Sequence, residues 1–166
     1  MPVIERILID GMNLMYKYPD LAFCLGEYRL QDARDGLLLH LKRFYAKQKH
    51  SKILVFFDGK KDLTSDCYSE DWGEFSIHYS HEKKADELII GYLNLYPVPS
   101  QCLVITSDKE IVSFARRLRA KRMTSEEFYA EWVKRETEED ETEFNHLKEG
   151  LTPSSETDYW ERQFLP

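Results

Sequence analysis

The sequence predicts an α/β fold, a three-layer α/β/α sandwich around a central, mainly parallel sheet. Three runs of β-prone residues, Ile7-Leu8-Ile9, Leu54-Val55-Phe56-Phe57 and Leu103-Val104-Ile105, are continuously apolar, as strands covered on both faces require. Stretches of helical periodicity separate them, and regular strand–helix alternation builds a parallel sheet with a helix layer on each side. With 166 residues, 42% of them hydrophobic, the chain suffices for one ordinary core.

Residues 3 to 9 read as the first strand, and Asp10-Gly11 opens a loop running through Tyr18-Pro19-Asp20. From Leu30 to Lys49 a long helix is expected, because Ala33, Leu37, Leu41, Phe44 and Tyr45 recur at helical spacing while Lys42, Arg43, Lys47 and Lys49 take the other side. Lys52 to Phe57 is the second strand. A polar connection, Lys60 to Asp71, leads to a third strand from Glu74 to Tyr79, expected at a sheet edge. Glu82 to Tyr96 reads as a helix stopped by Pro97 and Pro99. Gln101 to Thr106 is a strand, a helix begins near Asp108, and a short strand lies around Lys121 to Met123. Thr124 and Glu127 then have capping-box spacing for a last helix carrying Phe128, Trp132 and Val133.

Two segments follow from composition: a domain over residues 1–135, then an acidic linker and aromatic tail over 136–166. The second either prolongs the helix through Glu136 to Glu143 or forms a solvated linker, and Tyr159, Trp160, Phe164 and Leu165 are expected to dock on the chain's own domain. The net charge of −7 is uneven. Residues 134–166 hold ten acids against four bases, a balance of −6, which leaves −1 for the remainder. Basic clusters at Lys42–Lys52, Lys60-Lys61, Lys83-Lys84 and Arg116–Arg122 therefore keep a nucleic-acid partner open despite an acidic chain, although each also reads as an ordinary solvated surface. No apolar run reaches the length of a membrane span and no signal peptide is visible, so a cytoplasmic location is expected. Cys24, Cys67 and Cys102 lack C-x-x-C spacing and read as free thiols.

The chemistry lies where the strands end. Each of the three apolar runs finishes on an acid, Asp10, Asp58 or Asp108, and Asp86-Glu87 opens the helix between the second and third. Parallel strands present their C-terminal ends on one side, where open α/β sheets place ligands. Several carboxylates in one cleft repel unless a cation neutralises them, and hard oxygen ligands select Mg²⁺ or Mn²⁺. A metal-dependent phosphoryl-transfer site is the reading. The chain has no G-x-x-x-x-G-K-[ST], G-x-G-x-x-G or G-x-S-x-G motif, and the D-x-D pair of dehalogenase-like phosphatases fails because residue 12 is Met.

Asp10-Gly11-Met12-Asn13-Leu14 resembles the D-G-[aromatic]-N signature of NYN domains. Ala33-Arg34, Val55-Phe56-Phe57-Asp58, Lys84-Ala85-Asp86-Glu87, Thr106-Ser107-Asp108 and Arg122 to Phe128 follow in the order of the YacP-like branch of the PIN-like nuclease superfamily, over residues 3 to 133. The resemblance implies a PIN-like sheet with an acidic pocket that binds Mg²⁺ or Mn²⁺ and cleaves RNA. It assigns Asp10, Asp86 and Asp108 as catalytic acids and metal ligands, Asn13 as a catalytic polar ligand beside them, and Asp58 as a further acid on the metal. Arg34, Lys84 and Lys60 are candidate contacts to the RNA. The branch includes ribosome-associated endoribonucleases acting on messenger RNA, so RNA and the ribosome are the implied partners. The chain departs from the family at Met12, Lys84 and Glu87, and at Arg119-Ala120 where a Gly-Ala step is usual. No core carboxylate is lost. The competing reading is an inactive NYN-like module that grips RNA or the ribosome without cutting.

Overall fold

The computed structural model describes residues 3–46, 51–73 and 75–149. Its sheet has six strands, β1 (Arg6–Asp10), β2 (Lys52–Phe57), β3 (Ser69–Trp72), β4 (Phe75–Tyr79), β5 (Cys102–Ile105) and β6 (Lys121–Met123), in the order β3-β4-β2-β1-β5-β6. All neighbours pair in parallel except β3 with β4. The helices are α1 (Gly11–Met15), α2 (Pro19–Gly26), α3 (Leu30–Tyr45), α4 (Ala85–Leu95), α5 (Lys109–Arg117) and α6 (Ser125–Glu149), with a 3-10 turn at Pro99–Gln101.

Helices cover both faces of the sheet. Leu8, Leu54, Phe56 and Val104 point to one face and pack with Ala85, Ile89 and Leu93 of α4 and Ile111 and Ala115 of α5. Strand residues of opposite parity, among them Ile9, Val55, Phe57, Ile77 and Ile105, are equally buried on the other side. There the guanidinium of Arg34 on α3 lies over the rings of Phe57 and Tyr79, and Phe44 and Tyr45 at the end of α3 meet Phe128 of α6. Each such aliphatic or aromatic side chain contributes roughly 1.5 to 3 kcal/mol by leaving water.

β1 is the hinge of the site because it lies between β2 and β5. Its register pairs Asp10 with Phe56 and Ile9 with Ile105, so the residues just past β2 and β5 emerge beside Asp10. Gly11 is demanded by contact: a Cβ there would come within 2.5 Å of the Phe57 ring and 2.9 Å of the Phe56 carbonyl oxygen. The helix that follows Asp10 can thus lie tight against β2.

Several elements differ from expectation. The stretch after Asp10 is helical: α1 is capped by the Asp10 carboxylate, and α2 begins with Pro19, suited by its fixed φ to a first helical position. The strand ending at Tyr79 is interior, because Ser69–Trp72 adds an antiparallel edge through a turn at Gly73. β3 was hidden by its polarity; with mostly exposed side chains an edge strand need not alternate apolar and polar. The helix expected to reach Lys49 is α3, ending at Tyr45, and residues 47–50 lie outside the described ones. Arg119, where the resembled family has Gly, has φ +62 at the end of α5, a conformation that costs a side-chain-bearing residue roughly 1 kcal/mol or more.

The chain divides into two compact units, 1–130 and 131–166. The boundary expected after residue 135 falls inside α6, whose residues 131–149 are the described part of the second unit. The acidic stretch Glu136 to Glu143 is therefore helical. The aromatic tail from Tyr159 lies outside the described residues. No helix among the described residues is long and apolar enough to cross a membrane, and all three cysteines are free.

Candidate active site

Asp10 ends the central strand with only 8% of its surface exposed. One carboxylate oxygen accepts the Thr106 hydroxyl at 3.1 Å and the other faces the backbone N–H of Asn13 at 3.5 Å. Burial pushes its pKa up to about 6; the two hydrogen bonds pull the other way, and the negative charges of Asp58 and Asp108 add to the rise. The sheet edge thus brings three of the strand-end acids into electrostatic reach of one another.

Around Asp10 a network joins four elements. Thr106 Oγ1 also accepts the Asp108 N–H at 3.0 Å, which fixes the turn after β5. Asn13 Oδ1 accepts the Ser107 N–H at 2.9 Å and the Ser125 hydroxyl at 2.5 Å. Because a backbone N–H can only donate, this atom of Asn13 must be the oxygen, and the amide nitrogen is left for other work. Ser107 Oγ accepts the Ser125 N–H at 3.0 Å and donates to Glu126, whose carboxylate also pairs with Lys17 at 2.5 Å. Lys17 and then Ser107 hold the Glu126 carboxyl down to about 2. Thr124 and Glu127 form the reciprocal capping box that starts α6 here, at 3.0 and 3.1 Å.

On the other side of β1, Asp58 Oδ1 accepts the Ala85 N–H at 2.7 Å and so caps α4. This seats Asp86, in the first turn of α4, at the same sheet edge. Gly59, at φ +85, turns the chain away, its N–H donating to Ser80 Oγ at 2.9 Å. Arg34 holds this loop from beneath, donating to the carbonyls of Asp58 at 2.6 Å and Lys60 at 2.8 Å, with a longer contact to Lys61.

The donors suit a hard divalent cation. Asp58, Asp86 and Asp108 each spend one oxygen on backbone N–H groups and keep the second free, and no lysine or arginine among the described residues forms an ion pair with any of the four acids. Among the described residues no three acids, histidines or cysteines close around one point. An ion here would complete its shell with water and substrate oxygens, as Mg²⁺ commonly does. Two cavities flank the acids. One, of about 640 Å³, includes Asp58, Lys60 and Arg34 in its wall; the other, of about 330 Å³, is lined by Lys109, Arg116, Ser113 and Thr124.

A sequence model of the YacP-like NYN domain matches residues 7–165, nearly the whole chain. The protein belongs to the YacP-like NYN family. It is thus a nuclease-family protein, and the match runs well beyond residue 133 into the acidic and aromatic C-terminal segment. Two crystal structures of Rae1 (YacP) from Bacillus subtilis share its fold. A point mutant superposes with a TM-score of 0.66 at 21% identity, over 92% of this chain and 89% of that one. The other structure gives 0.61 at 20% identity, over 98% and 95%. At such identities the likeness concerns the fold alone. No curated protein matches the sequence.

Within this YacP-like fold the predicted residues take distinct places. Asp10, Asp58 and Asp108 are drawn together, and Asp86 stands at the same edge beside the Asp58 cap. Asp58 and Asp108 also serve as helix or turn residues, because a capping oxygen and a free one coexist on a single carboxylate. Lys84 is exposed at the start of α4 and forms no ion pair with Asp86, and Lys60 is exposed. Arg34 departs from its expected contact with RNA: at 2% exposure its guanidinium is committed to carbonyls and ring faces, and it acts on the site through the loop it holds. Sequence reasoning missed Ser125, Thr106, Lys17 and Glu126 as parts of the site. The capping box located the start of α6, yet nothing local tied Ser125 to Asn13, 112 positions away.

Proposed function

We propose that this protein is an endoribonuclease that hydrolyses RNA phosphodiester bonds with the help of Mg²⁺ or Mn²⁺. The observation that carries the reading is Asp10: a nearly buried carboxylate, raised by burial and by two neighbouring acids, with no cation among the described residues paired with it. Asp10, Asp108 and Asp86 are the residues to hold the ion, and the free oxygen of Asp58 adds a further acceptor. When bound, such an ion supplies a more acidic water and offsets charge at the attacked phosphate.

The chain's own residues do the rest. Thr106 and the backbone N–H of Asn13 favour the ionised form of Asp10 by donating to it. Asn13, clamped by Ser107 and Ser125, keeps its amide nitrogen at the acid edge to orient a substrate oxygen without adding charge. Lys60 and Lys84 on one side, with Lys109 and Arg116 on the other, offer cations to the RNA backbone. Messenger RNA on the ribosome as the substrate rests on the family resemblance.

Labelled RNA incubated with the full chain and Mg²⁺ or Mn²⁺ tests this. Cleavage should appear with the parent protein and disappear in Asp10→Asn and Asp86→Asn. RNA binding without cleavage at either metal would make the protein a binding module of this family, and equal cleavage by parent and variants would remove the assigned site.

A further inference from the structure

The larger cavity has a composition that the acids alone do not explain. Its wall contains Asp58, so it is continuous with the acid edge, and the remainder combines Tyr28, Leu30 and Leu63 with Lys60 over a floor that includes Arg34. At about 640 Å³ it has the size of an ordinary small-molecule site. Tyr28 is 97% exposed and Leu63 98%. Tyr28 also stands at φ +59 just past the end of α2, held there by the Arg29 N–H donating to the Cys24 carbonyl at 2.8 Å. A bulky residue in that conformation costs roughly 1 kcal/mol or more, and complete exposure returns nothing in packing. Glycine would serve the turn better.

Charge and rigidity point the same way. The Lys61 ammonium is taken by Glu70, whereas Lys60 is exposed and forms no ion pair among the described residues. The Asp62 carboxylate is turned to Thr64, accepting its N–H and hydroxyl at 2.9 and 3.0 Å. Arg34 binds the carbonyls of Asp58 and Lys60, so the wall is formed before any ligand arrives. Its own Nε, buried, has no hydrogen-bond acceptor among the described residues. A flat aromatic face open to solvent, an apolar rim and a free ammonium, on a wall that Arg34 holds in place, are what a base and its phosphate require.

We infer that this cavity seats one unpaired nucleotide of the RNA strand beside the bond that is cut, with its base stacked on Tyr28 and its phosphate against Lys60. The inference rests on the ribonuclease reading for its substrate. A duplex cannot deliver such a base, because its bases stay stacked inside the A-form helix; the cavity therefore selects single-stranded RNA.

Binding separates this from cleavage. In EDTA, a fluorescently labelled single-stranded RNA and its duplex are titrated with the full chain, Tyr28→Ala, Tyr28→Phe and Lys60→Ala. Tyr28→Ala should weaken single-strand binding about ten-fold, Tyr28→Phe should stay within about two-fold of the parent, and neither should change duplex binding. Lys60→Ala should weaken single-strand binding and flatten its salt dependence. An oligonucleotide with an abasic site at the affected position should bind parent and Tyr28→Ala equally. Unchanged binding by Tyr28→Ala, equal losses on single strand and duplex, or no binding of single-stranded RNA by the parent would each overturn the subsite. Loss of the nuclease reading looks different: Tyr28-dependent binding persists while the parent cuts no RNA with either metal. Cleavage with binding indifferent to Tyr28 refutes the subsite alone.

Discussion

The two halves of the acid edge, β1–β5 and β2–β4, are built by different means. Beside β5, neutral groups do the work: Thr106, Ser107, Asn13 and Ser125 exchange hydrogen bonds from three segments and enclose a buried acid. Beside β4, one buried cation, Arg34, gathers main-chain carbonyls and leaves Asp58 with a free, half-exposed oxygen. In the first half burial pushes the Asp10 carboxyl up to about 6, and the hydroxyl and backbone N–H donors pull against that rise without neutralising the charge. The proposed ion draws on both halves, through Asp10 and Asp108 on one and Asp86 on the other, whereas the proposed nucleotide cavity belongs to the second alone.

The division breaks most sharply under charge removal. Asp10→Asn should reduce RNA cleavage by at least about a hundredfold in kcat, whereas Asp58→Asn, which still accepts the Ala85 N–H, should lose about tenfold or less. Equal losses would show that Asp58 holds the ion as fully as Asp10 does. Arg34→Met should cost about 2 to 4 kcal/mol in urea unfolding by orphaning carbonyls of the Asp58 loop, and Arg34→Lys should not restore it, since one ammonium cannot replace the guanidinium fork.

Metal-free stability sharpens the first half. The Asp10 pKa is raised from 3.8 to about 6, so between about pH 4 and pH 6 the folded state holds a proton that the unfolded state has released. The stability tied to that proton is present below pH 4 and lost as pH rises through 6. In EDTA at pH 8, Asp10→Asn should therefore be more stable than the parent, by up to about 2 to 3 kcal/mol, with the advantage gone at pH 4. A parent that gains stability across that window would contradict the assignment. Adding Mn²⁺ should raise the parent's Tm at pH 8 and leave that of Asp10→Asn nearly unmoved. The smallest effect belongs to Ser125→Ala. Asn13 keeps the Ser107 N–H, so the loss should be about 1 kcal/mol, with a lower kcat at unchanged KM.

The site was legible in the sequence in proportion to its charge. Asp10, Asp58 and Asp108 stood out because each closes an apolar run, and parallel strands must end together. Arg34 came with the resemblance as a candidate contact to RNA, and only its burial against carbonyls shows that it holds the Asp58 loop. Thr106 and Ser125 carry no charge and sit in no periodic pattern, so their roles were invisible. The exposed edge strand Ser69–Trp72 escaped because periodicity records burial, and an edge buries little.

By itself the sequence determined the alternation of strands and helices, the parallel sheet and the gathering of acids at one edge, because each follows from local periodicity and from the direction of parallel strands. Only the tertiary structure decided which neutral side chains enclose Asp10, that Arg34 faces carbonyls, and that a cavity opens beside Asp58. Those outcomes depend on hydrogen bonds and packing between residues as far apart as Asn13 and Ser125, and such pairings leave no trace in the spacing of residues along the chain.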